Sequence, residues 1–150
     1  MIRLSRKTIL ALEAVVDIAY NARPEPVQAK EITSRQGVPQ RYLEQVMQRL
    51  VHAGILRGVR GPKGGYRLAR ERRRITAGEV VRIVALMEAE ELPPLDNGSE
   101  LAEKVVRPLI ESLHKELLAR LDAITIDDLC IEAEAQNVPL AVRTKLDFTI

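Results

Sequence analysis

A chain of 150 residues with a formal charge of +2 has the size of one domain, or of one domain with a helical extension. Hydrophobic residues make up 46 %, but with three Tyr, one Phe and no Trp the core is expected to be aliphatic, and a base-stacking platform for single-stranded nucleic acid is not expected. Cys130 is the only cysteine, and His52 and His114 are the only histidines, so the chain alone builds no disulfide, no tetracysteine zinc site and no cysteine-held iron–sulfur cluster. No apolar run reaches membrane-spanning length and no leader pattern opens the chain; the expected compartment is the cytoplasm, with no membrane partner. The small net charge is a cancellation. Residues 35–74 hold eleven Lys/Arg against two acids, whereas residues 75–150 hold seven basic groups against fifteen acidic ones. A basic block beside an acidic half points to a polyanion-binding patch.

In chain order, Ser5 is a plausible N-cap for a helix over 6–22, with Ile9, Leu12, Val16 and Ala19 or Tyr20 at helical spacing. Pro24 and Pro26 make a turn. A two-turn helix over 29–36 stops at Gly37, and Val38-Pro39 leads into a helix over 40–53, closed by Gly54, whose apolar face is Leu43, Val46, Met47 and Leu50. Residues 55–60 and 66–68 alternate like strands around the turn 61–65, giving a hairpin with a basic, glycine-rich tip. Thr76 and Glu79 have capping-box spacing, and Val80, Ile83, Val84 and Met87 line the helix that follows, ending near Glu90. Residues 91–99 read as a loop. From Glu100 to Leu121 an apolar row recurs every four residues, at Leu101, Val105, Leu109, Leu113, Leu117 and Leu121, widened by Val106, Ile110 and Leu118. Pro108 interrupts it and is expected to kink the helix or restart it, since proline has no N–H to bond back to Lys104. His114 is placed opposite the row. Residues 124–129 look like a short connector and helix, and 137–150 form a tail.

Helix, short turn, helix and basic hairpin describe a winged helix-turn-helix: mainly α with a small β-hairpin, plus a long C-terminal helix. The DNA-binding domain is assigned to 1–90, and the dimerisation helix with its connector to 100–136. Gln40, Arg41, Tyr42, Glu44 and Gln45 begin the candidate recognition helix. Glutamine suits adenine, arginine suits guanine or phosphate, and glutamate suits the cytosine amino group. Arg57, Arg60, Lys63, Arg67 and Arg70 crowd the hairpin, and such a density of like charge calls for a polyanion. No nucleophile–base–acid set is recognisable, so an enzyme is not expected.

These residues carry a resemblance. Leu4-Ser5-Arg6-Lys7, Tyr42-Leu43-Glu44-Gln45, Ala53-Gly54-Ile55-Leu56 and Arg60-Gly61-Pro62-Lys63-Gly64-Gly65-Tyr66-Arg67-Leu68-Ala69 resemble the Rrf-two family of bacterial transcription regulators, well over residues 1–88 and loosely beyond. The resemblance implies a homodimer on double-stranded DNA at a pseudo-palindromic operator. It places Tyr42, Glu44 and Gln45 in the major groove, Arg60 and Gly61 in the minor groove, and the row from Leu101 to Leu121 at the dimer interface. Lys7, Gln40, Arg41, Arg49, Lys63, Gly64 and Gly65 complete the candidate DNA-contacting set. Cluster-binding members of the family carry three cysteines between the fourth helix and the long one; here 91–107 contains none, so no cofactor is expected. Glu100 and Glu103 lie nearby but read as a solvated face, with no metal assigned. Cys130, among Asp127, Asp128 and Glu132, reads as a structural thiol. The effector, a small molecule or a protein, stays open, and the competing reading is a winged-helix adaptor that docks a partner enzyme.

Overall fold

The computed structural model describes residues 4–21, 24–91 and 98–141. Helix α1 (Arg6–Tyr20) starts at Ser5, whose hydroxyl accepts the Thr8 amide at 3.1 Å. Its buried face is Leu10, Ala11, Ala14, Val15, Ile18 and Ala19, whereas Ile9 is exposed and Leu12 and Val16 are only partly covered. Apart from Ala19, which the expected row also held, the buried row is therefore the neighbour of the expected one. Both rows have helical spacing, but the alanine-bearing row lets other backbones approach closely, and helices from later in the chain pack against it.

Helix α2 (Ala29–Gln36) ends at Gly37 with φ 69°, a left-handed position that costs glycine nothing. After Val38-Pro39, α3 (Gln40–His52) buries Leu43, Val46, Met47 and Leu50. Strands β1 (Leu56–Val59) and β2 (Gly65–Leu68) pair antiparallel from Leu56 opposite Leu68 to Val59 opposite Gly65. Val27, which follows the proline turn, adds an isolated bridge to β2: its amide donates to the Tyr66 carbonyl at 3.0 Å and its carbonyl accepts the Tyr66 amide at 2.7 Å. A Cβ on Gly65 would overlap that Val27 carbonyl, and one on Gly64 the Val59 carbonyl.

A 3₁₀ turn (Arg72–Arg74) leads to α4 (Ala77–Glu91), where the expected capping box forms: the Thr76 amide donates to Glu79 at 2.9 Å and the Glu79 amide to the Thr76 hydroxyl at 3.2 Å. Pro108 marks a restart, as expected, although the chain stays helical across it. Residues Ala102–Val106 take a π-helical turn in which the Arg107 amide reaches the Ala102 carbonyl five residues back, and α5 (Arg107–Asp122) continues with the proline in its first turn. Nothing on α5 is buried, and Leu101, Val105, Leu109, Leu113 and Leu117 are 40–66 % exposed. Leu121 is partly covered at the end where α5 rejoins α4. His114 is not opposite the apolar surface: it shares a shallow groove with Ile110 and Leu118, its neighbours four residues away.

At that junction the Ala77 amide donates to Ile124 and the Ile126 amide to Ile75, both at 2.8 Å. Arg82 clamps Asp122 with both terminal guanidinium nitrogens, and a Cβ on Gly78 would collide with the Asp122 side chain. Helix α6 (Ile126–Ala135), grouped from sequence with the dimerisation helix, instead returns to the body. It packs on α1 and puts Ile126 and Cys130 into the main core. Beyond it, the Val138 carbonyl accepts the Tyr20 hydroxyl at 2.6 Å, and the Ala141 amide donates to Asn21 at 2.7 Å. The sequence-assigned loop 91–99 and tail 137–150 fall largely outside the described residues.

Candidate nucleic-acid interface

With its apolar face spent on the core, α3 has three further faces. Arg41, Gln45, Gln48 and His52 recur at four, three and four residues and are all exposed, forming the outward stripe. Gln48 was missed from sequence although the periodicity that buried Leu43 and Leu50 also places it in this stripe. Towards the wing lie Gln40, Glu44 and Val51. Gln40 donates to Glu44 at 2.9 Å, and Gln40 and Val51 share a cleft with Gln28, Lys30 and the hairpin from Gly58 to Gly61. Burial pushes the Tyr66 hydroxyl above its ordinary pKa, with the Glu44 carboxylate adding to the shift.

On the far flank stand Tyr42 and Arg49, seven residues apart and so on one line of the helix. The Lys7 ammonium sits 5.7 Å from the centre of the Tyr42 ring, within range of a cation–π contact. Lys7 also donates to Glu91 at 2.8 Å, a hydrogen bond that raises its pKa, and Arg49 donates to Glu90 at 2.8 Å. The Ser5 hydroxyl donates to Glu88. The acidic last turn of α4 thus meets the N-terminus of α1 and the side of α3.

The basic hairpin is two groups of residues rather than one surface. Arg60 and Lys63 are exposed at its tip, and Gly61 holds φ 111° there, a region glycine enters freely. At its base Arg67 donates to the Pro24 carbonyl and Arg70 pairs with Glu79 at 2.8 Å, so these two serve the fold. Arg57 joins them in a cleft against Tyr20 of α1.

A helix-turn-helix with a wing, its polar helix face and basic tip turned outward together, defines a winged-helix DNA-binding regulator. The model of the Rrf2 family, described as an iron-dependent transcriptional regulator, matches residues 4–132. The chain belongs to the Rrf2 family of DNA-binding transcriptional regulators. It is 34 % identical over 140 residues to the HTH-type transcriptional regulator IscR of Aliivibrio salmonicida, covering 91 % of this chain and 82 % of that one. IscR of Vibrio cholerae is also 34 % identical, with 91 % and 79 % covered. The solved structure of T. potens IscR superposes with a TM-score of 0.72 at 32 % identity over 93 % and 94 % of the two chains. CymR, the global cysteine regulator of B. subtilis, superposes with a TM-score of 0.65 at 28 % identity over 88 % and 98 %.

The family description names iron, and the residues present do not fit an iron–sulfur group held by cysteines. Such clusters take several thiolates, and the single thiol of this chain, Cys130, is buried in the core on α6. Burial pushes that thiol above its ordinary pKa despite the Arg72 guanidinium beside it, which the 3₁₀ turn supplies and the local sequence did not reveal. Among the described residues no group of three His, Cys, Asp or Glu side chains is placed to hold a metal ion. Glu100 pairs with Lys104 at 3.2 Å.

Proposed function

We propose that the protein is a homodimeric, cytoplasmic transcriptional repressor that reads a pseudo-palindromic operator, one half-site per protomer, and does not sense through an iron–sulfur cluster. The observation that carries this reading is the α3 stripe of Arg41, Gln45, Gln48 and His52, exposed alongside a wing whose tip presents Arg60 and Lys63. A stripe of that width fits the major groove, and a hairpin beside it reaches the flanking backbone or minor groove. The exposed apolar face of the long helix supports the dimer, and two such units place their recognition helices about 34 Å apart or a further helical turn on. Repression is the assigned sign because occupying promoter DNA is sufficient for it.

The test is a fluorescence-anisotropy titration against duplexes selected from genomic DNA. Arg60→Ala or Lys63→Ala weakens binding to every duplex and reduces the salt slope by about one for each phosphate that is no longer neutralised. Glu44→Ala instead relaxes sequence preference, by about 1–3 kcal/mol at one base pair per half-site. Unchanged duplex affinity in all three variants would reassign the basic face to an acidic protein surface.

A further inference from the structure

Two of the basic groups bordering the recognition stripe are already neutralised. Lys7 sits on Glu91 with both carboxylate oxygens in reach, at 2.8 and 3.0 Å, and Arg49 on Glu90 at 2.8 Å. Both glutamates come from the last turn of α4, an element otherwise occupied with the core through Val80, Val84 and Met87. The same turn sends Glu88 to the Ser5 hydroxyl that caps α1. Three side chains of one turn therefore tie the end of α4 to the edge of α3 and the start of α1.

The partners are exposed unequally. The Lys7 side chain is 13 % exposed, but Arg49, Glu90 and Glu91 are 38 %, 64 % and 56 % exposed. Exposed pairs of this kind contribute little to folding, since solvent and salt weaken them and ordering two long side chains opposes them. Their position gives them another consequence. A phosphate brought to this flank meets two glutamates beside the two cations it would engage, and it binds each cation only in competition with that carboxylate.

We propose that Glu90 and Glu91 act as built-in competitors of the DNA backbone, setting duplex affinity by holding Arg49 and Lys7 away from phosphate. The inference rests on the DNA-binding reading above and adds residues that touch no nucleic acid. Backbone attraction acts on every sequence alike, so withholding two cations lowers affinity for operator and non-specific duplexes by a similar factor and leaves discrimination to the α3 stripe. The acidic turn thereby works as an affinity-setting element of an interface it does not enter.

The experiment compares wild type with Glu90→Gln, Glu91→Gln and the double variant, each titrated with an operator duplex and a scrambled duplex over a series of salt concentrations. Glutamine keeps the size and loses the charge. The expected result for the double variant is affinity for both duplexes higher by about three- to tenfold at low salt, a salt slope steeper by about one to two, and an unchanged ratio of specific to non-specific affinity. Adding Lys7→Ala and Arg49→Ala to the double variant should abolish the gain, as coupling through those pairs requires. Unchanged or weaker affinity in a variant whose thermal unfolding matches wild type overturns the proposal, as does a gain that survives loss of both cations. Each single variant carries the same reading should the double variant fold poorly. A protein whose wild type binds neither duplex has failed the DNA-binding reading itself, an outcome distinct from these.

Discussion

Gly65 sits where the wing meets the segment before α2, and the Val27 carbonyl occupies the space a side chain would take. The glycines of the hairpin were legible in sequence as turn chemistry. Their stricter reason was not, because it depends on a residue far earlier in the chain, just after the proline turn. Gly65→Ala must move backbone rather than a flexible side chain, and should cost about 1–3 kcal/mol of stability and detach the wing from Val27. Thermal unfolding reads the first effect, and the salt slope of DNA binding the second. Lys7 and Arg49 show the same limit at the other flank. Both are recognisable as basic residues near the recognition helix, yet the acids that hold them lie 84 and 41 residues further on.

Helices in which a capping signal coincides with a long apolar row were read well, and those placed by their partners were not. The Thr76–Glu79 capping box was visible as a spacing and forms as expected; the box that starts α6, Thr125 with Asp128, has the same spacing and went unread, and the short apolar pattern of α6 gains its place from α1 and the 3₁₀ turn. On α1 the sequence offered two equivalent apolar rows, and only the approach of α4 and α6 chose between them. The capping box also predicts a pH response. Partial burial alone would raise the Glu79 pKa, but the Thr76 amide and the Arg70 guanidinium together hold it below its ordinary value. A carboxylate depressed in the folded state adds stability above its unfolded pKa and loses it as pH falls through the folded one. Wild type should therefore lose stability between about pH 5 and the folded pKa. Glu79→Gln should be less stable at pH 7 and show a shallower decline in this interval, measured as urea midpoints across pH.

At the scale of the molecule, the near-neutral charge resolves into a basic recognition face and an acidic remainder, and part of that remainder reaches round to touch the face. The long helix is held to the body at one end by Arg82, Asp122 and the paired amides of Ala77 and Ile126, while its apolar face stays open. Leu109→Glu combined with Leu113→Glu should leave the unfolding of the body intact, since α5 buries nothing in it, and should yield a monomer by sedimentation. Operator affinity should fall by about 10²–10⁴ as the two half-sites lose their linkage. A dimer that survives both charges would place the interface elsewhere. The π-helical turn ahead of Pro108 bears on the same face through phase. A row spaced by four residues overshoots the 3.6-residue turn by about 40° at each step, so from Leu101 to Leu121 it would wind through about 200° in a regular helix. One wider turn absorbs part of that drift, so that the upstream Leu101 and Val105 stay closer in azimuth to Leu109 and Leu113. Deleting a single residue from 102–106 would let the segment close into a regular helix with Leu101 near its present azimuth, whereas inserting one would rotate Leu101 by about 100° relative to the rest of the row, leaving the two ends of the helix addressing different neighbours.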